Sequence, residues 1–173
     1  MASPSIGSMF VQRVVVGVGD LGASNNPMLT LSTYALGSCV AVVAYDPASK
    51  ASGLLHMMLP DSTLSPSKAA SQPAMFADTG LPLLFRTLEG MKANRSNLRL
   101  FVTGGASVLC DSTAFRIGER NVVATQNWLA QHGYRIRASA VGGVVNRTVH
   151  LEISTGNIEL KLPSGIERMS LGG

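Results

Sequence analysis

The sequence predicts an α+β fold, and three observations carry that expectation. Short stretches rich in β-branched and apolar residues recur along the chain, each bounded by Gly, Pro, Asn, Asp or Ser. Only two stretches place apolar residues at helical spacing over a helix-like length. Of the 173 residues, 46% are hydrophobic and 14% charged, which suits a folded chain able to bury a real core.

The elements follow in order. MFVQRVVVGVG (9–19) reads as a strand. MLTLSTYA (28–35) is a second strand after a loop containing SNNP. CVAVVAYD (39–46) and SGLLHMML (52–59) are two more, joined by PASKA. PDSTLSPSKAASQP, a polar stretch with three prolines, is the longest irregular segment and the best candidate for a mobile flap. From about Ala74, apolar Leu81, Leu84, Phe85, Leu88 and Met91 define a helix whose first half contains Gly80 and Pro82. LRLFVT (98–103) is a strand that runs into Gly104 and Gly105. GERNVVATQNWLAQHG forms a second helix, roughly 118–132, closed by Gly133. YRIRASAV, RTVHLEIS and NIELKL are strands, the last two paired as a hairpin across STG (154–156). About eight strands and two long helices make residues 1–173 a single α+β domain.

Several functions are excluded or disfavoured. The net charge is +4 with no basic block and 5% aromatic residues, which argues against nucleic-acid binding. No apolar run approaches membrane-spanning length, and the start lacks the pattern of an export signal, so the expectation is a cytoplasmic protein with reduced thiols. GVGDLG (17–22) matches a dinucleotide fingerprint, but turn and strand residues follow it where a helix is required, so no cofactor is expected. No His, Cys and carboxylate cluster has ligand spacing, so no metal is expected.

Cys39 and His56 are the candidate reactive pair. A turn centred on Pro47–Ala48 would set Asp46 opposite Ser49 and Cys39 opposite His56, with Cβ atoms about 4.5–5.5 Å apart. A neighbouring imidazolium lowers a thiol's pKa and makes it a nucleophile. A third group usually orients the imidazole, and Thr33, Ser32 and Ser38 are all near enough in sequence. Backbone N–H groups around Gly37–Cys39 could form an oxyanion hole. The alternative is that both residues are ordinary core. Cys110 has no comparable partner and reads as filler. His132 ends a helix, where a cation suits the dipole, and His150 alternates on a strand toward water.

LGSCVAV (36–42) followed by GLLHMMLPDS (53–62) resembles the signature of the CheD family of chemoreceptor glutamine deamidases. FADTGLPLLFRTLEGMKA, FVTGGASVL (101–109), IGERNV (117–122) and VGGVVNRTVHLEISTGNIELK (141–161) are similar to later family segments in the same order. The resemblance implies a three-layer α/β/β fold, with Cys39 as nucleophile, His56 as general base and Thr33 as third catalytic residue. It implies hydrolysis of glutamine side chains of methyl-accepting chemotaxis receptors through a thioester, and a CheC-type phosphatase as a further partner. Two other classes stay open: a non-catalytic CheD-like module that binds and regulates such a phosphatase, and a cysteine amidase acting on small molecules.

Overall fold

The β-rich stretches pair into two five-stranded sheets. This is a computed structural model, and it describes residues 11–107 and 116–173. Ten strands run in chain order: β1 (Gln12–Val15), β2 (Asp20–Ser24), β3 (Leu29–Leu36), β4 (Val40–Tyr45), β5 (Ser52–Met57), β6 (Arg99–Gly104), β7 (Ile136–Val141), β8 (Arg147–Glu152), β9 (Asn157–Leu162) and β10 (Gly165–Ser170). Three α-helices accompany them: α1 (Pro66–Ser71), α2 (Ala77–Gly90) and α3 (Ile117–Gln131). One sheet has the order β1-β3-β8-β9-β10, the other β2-β5-β4-β6-β7. The β1/β3 and β6/β7 pairs are parallel, and the remaining pairs are antiparallel.

Side-chain alternation then stacks three layers. On β4, Val40, Val42 and Ala44 join a cluster with Leu81, Leu84, Phe85 and Leu88 of α2 and Leu129 of α3. Ala41, Val43 and Tyr45 face the other way, into a second cluster with Leu31, Val149, Leu151, Ile158 and Leu160 of the first sheet. β4 and β5 are buried along their whole length because both faces are covered. The order is therefore helices, sheet, sheet, an α+β sandwich with mostly antiparallel strands.

Three expectations change. β2 and β10 were not anticipated: DLGAS and GIERMS carry few β-branched residues and serve as outermost strands of their sheets, where packing selects less strongly. The first strand is shorter than the apolar run, ending at Val15. The stretch read as an irregular flap is instead α1 flanked by two 3-10 turns, Ser62–Leu64 and Pro73–Met75, with Pro66 and Pro73 at the start of helical segments. It is tied down: Ser62 N–H and Oγ both bond the Asp78 carboxylate, and Gln72 Nε2 donates to Gly19 O at 2.9 Å. α2 is continuous through Pro82. Cys110 lies outside the described residues.

Candidate active site

The loop that carries Cys39 is made by the end of β3. Register with β8 shifts between Thr33 and Leu36, and Ala35 adopts φ +57°, a left-handed conformation costly for a residue with a Cβ. The chain then turns through Gly37 and Ser38 and enters β4 at Val40. The far end of β6 holds this loop. Ala106 N–H donates to Gly37 O at 2.8 Å and Gly105 N–H to Cys39 O at 2.7 Å. Gly104 has φ +105°, and a Cβ there would overlap the Cys39 carbonyl oxygen, so only glycine allows this approach. The thiol is half-buried, against the cluster between the sheets.

His56 lies near the end of β5, fixed by ladders on both sides, with Asp20 of β2 and Ala41 of β4 as its partners. The expected pairing is thus displaced by one residue on each strand: Cys39 does not face His56. The turn is longer than read, running over Pro47–Lys50 with Asp46 N–H bonded to Ala51 O and Lys50 at φ +61°. The displacement preserves the face. His56 has the parity of Leu54 and points between the sheets, and Cys39 stands two residues from Ala41 on that side. The relation is diagonal, and no hydrogen bond joins the thiol to the ring.

Thr33 reaches the imidazole from the opposite sheet. Its hydroxyl oxygen is 2.6 Å from Val16 O and 2.7 Å from His56 Nδ1. A hydroxyl has one proton, and a carbonyl can only accept. Thr33 must therefore donate to Val16 O and accept from His56 Nδ1–H. That fixes the tautomer and leaves Nε2 with a bare lone pair. Nε2 is buried and has no hydrogen-bond partner among the described residues.

The electrostatics alter one expectation. Burial pulls the His56 imidazole down to about 4 and pushes the Cys39 thiol up, against a smaller lowering from the thiol's contact with its own N–H. At neutral pH the two rest as thiol and neutral imidazole, not as a thiolate beside an imidazolium. A neutral imidazole with a bare nitrogen can accept a proton.

The other candidates separate cleanly. Ser32 points to the outer face of its sheet, where its Oγ lies 2.6 Å from His150 Nδ1. His150 was expected to face water, yet it is 5% exposed, packed edge-on against Tyr34. His132 is the C-cap of α3, with Nδ1 2.8 Å from Trp128 O. GVGDLG runs into strand β2, so no helix N-terminus follows it. Sequence reasoning assigns one further residue no role. Asn121 of α3 is 1% exposed and donates through Nδ2 to Ser38 O at 3.0 Å and Met58 O at 2.9 Å. The signal was present: Gly118, Asn121, Thr125 and Leu129 form the buried stripe of α3, and three of the four are small or polar where a core helix would be apolar.

A family model described as CheD chemotactic sensory transduction matches residues 58–162. A Syntrophus aciditrophicus protein named "Probable chemoreceptor glutamine deamidase CheD 1" is 45% identical over 152 residues, covering 88% of this chain and 95% of the relative. A Solibacter usitatus protein named "Probable chemoreceptor glutamine deamidase CheD" is 42% identical over 151 residues, covering 87% and 89%. One of the same name from Syntrophotalea carbinolica is 39% identical over 152 residues, covering 87% and 94%. The crystal structure of a Neisseria meningitidis protein overlays 79% of this chain and 64% of its own at TM-score 0.44 and 9% identity, a likeness too loose to argue from.

Proposed function

The chain belongs to the CheD family, and from that membership we propose that it is a protein-glutamine deamidase, converting glutamine side chains of chemotaxis receptors to glutamate. The reading takes residues 1–173 as one such domain, working in the cytoplasm. Among the described residues no helix is long and apolar enough to cross a membrane. The observation that carries the chemistry is the committed proton of Thr33, which leaves a bare imidazole nitrogen in the layer that Cys39 enters.

Cys39 is the nucleophile, His56 the general base and acid, and Thr33 the group that orients it. Sγ attacks the carboxamide carbon while His56 Nε2 takes the thiol proton, and the carbonyl electron pair moves to oxygen. When the tetrahedral species collapses, the C–N bond breaks and Nε2–H gives its proton to the departing ammonia. A water then loses a proton to Nε2 and adds its oxygen to the thioester carbon. The C–S bond breaks, the sulfur regains its proton from Nε2–H, and glutamate leaves. A CheC-type phosphatase as second partner rests on the family resemblance alone.

The test is mass spectrometry of a receptor cytoplasmic fragment after incubation with the protein. Amide-to-acid conversion at discrete glutamines, absent with Cys39→Ala, is the expected result. Equal conversion by Cys39→Ala, or none by the wild type, would remove the reading.

A further inference from the structure

Three successive carbonyls around the nucleophile, those of Gly37, Ser38 and Cys39, all end in one wedge between the end of β6 and the start of α3. The first and third are taken by backbone N–H groups of Ala106 and Gly105. The middle one is taken by a side chain, Asn121 Nδ2 at 3.0 Å. The wedge is closely fitted: a Cβ on Gly105 would overlap Val122, and one on Gly118 would lie 2.6 Å from Ala106 O and 2.7 Å from Gly105 O.

A trans peptide fixes its N–H antiparallel to its C=O in one plane. The Ser38–Cys39 peptide is trans. Holding Ser38 O toward α3 therefore turns the Cys39 N–H to the opposite side, away from the helices and toward the layer between the sheets. The Cys39 side chain packs against the cluster between the sheets, so donor and thiol share one side. The amide of Asn121 acts in one direction only. Both its contacts are donations, while Oδ1 is buried with no partner among the described residues. Its second donation, to Met58 O, ties the same amide to the segment two residues past His56.

We propose that Asn121 is a positioning residue that, by gripping the Ser38 carbonyl, aims the Cys39 N–H at the oxygen that becomes negative when Cys39 attacks a carboxamide. This rests on the deamidase reading above and adds to it the group that builds the oxyanion donor. A preorganised donor at that oxygen acts in the transition state and not on ground-state binding.

The experiment compares wild type, Asn121→Ala and the near-isosteric Asn121→Asp, with Cys39→Ala alongside. Three quantities are read: kcat and KM on a receptor fragment, the pH profile of Cys39 alkylation by iodoacetamide, and thermal melting. Iodoacetamide reacts by displacement at a saturated carbon and forms no oxyanion, so it reports on the thiol and on loop shape alone. Expected are kcat values lowered about 10²-fold or more, KM within about threefold, and alkylation profiles within about twofold of wild type. Wild-type kcat in either folded variant overturns the inference. So does alkylation that falls in parallel with turnover, and so does failure of both variants to fold, since either would make the amide a structural clamp. An active Cys39→Ala would instead strike down the deamidase reading. An inactive Cys39→Ala beside fully active Asn121 variants would strike down this inference only.

Discussion

Adjacent residues of β3 carry two hydroxyl–imidazole pairs, one on each face of the sheet. Inward, Thr33 holds His56 at 2.7 Å. Outward, Ser32 holds His150 at 2.6 Å. Both rings bond through Nδ1, both are buried, and both leave Nε2 without a partner among the described residues. Both imidazoles are held below their ordinary range, His150 by burial first and then by Arg13 and Lys161. The difference lies in what the hydroxyl does with its single proton. Thr33 gives it to Val16 O and so dictates the tautomer of His56. Among the described residues Ser32 has no such second contact, so none of them fixes the tautomer of the ring it holds, and that ring faces no cysteine there. A short hydroxyl–histidine contact is thus no sign of catalysis by itself. What sets the inward pair apart is a committed proton and a cysteine in the same layer.

The largest test of that contrast exchanges the rings. His56→Asn should lower turnover by about 10²- to 10⁴-fold, the range for removing a general base. His150→Asn should leave turnover within about twofold. Steady-state kinetics on one receptor fragment reads both, and equal losses would erase the distinction between the faces. The hydroxyls come next. Thr33→Val keeps shape but frees the tautomer, and should cost roughly 10- to 100-fold in kcat, less than losing the base outright. Thr33→Ser should recover most of that loss, and Ser32→Ala should change little. If Ser32→Ala is the crippled variant, the orienting residue has been assigned to the wrong face.

The smallest effect is on stability against pH. His56 is neutral in the fold down to about 4, whereas in the unfolded chain it gains a proton near 6.5. Between those values the unfolded state binds more protons, so stability is full above about 6.5 and is lost as pH falls toward 4. His56→Asn should remove up to about 1.4 kcal/mol per pH unit from that slope. Urea unfolding at pH 4.5, 5.5 and 6.5 would measure it, and an unchanged slope would mean that His56 is not held neutral.

The inward pair was partly legible in sequence because a hairpin constrains two residues at once. The parity that puts Cys39 and His56 on one face survives a register error of this size, and so the pairing was readable although the opposition was wrong. The register itself depended on the turn. Asp46 accepts the Ala48 N–H through one carboxylate oxygen and the Asn94 N–H through the other, and Lys50 takes a left-handed φ. Neither a contact with a residue far along the chain nor a lysine at positive φ leaves a local signal. Pro66 and Pro73 misled in another way. Placed in an irregular loop by the sequence reading, they stand where proline is favoured, at the start of helical segments. Thr33 was singled out from Ser32 only by the family resemblance, because the proton it gives to Val16 O crosses between strands that nothing in the local pattern connects.

The glycine wedge behind Cys39 bears on the order in which the protein comes together. Gly104, Gly105 and Gly118 lose more chain freedom on folding than other residues would. That loss is offset only when segments near positions 37–39, 104–106 and 118–121, far apart in sequence, have all arrived and made their contacts. Contacts of such long sequence separation form slowly and open readily at strand ends and loops. The geometry around the thiol is therefore expected to form late in folding and to open early in unfolding. On a gentle denaturant ramp, catalytic competence should fade while both sheets still give their full circular dichroism.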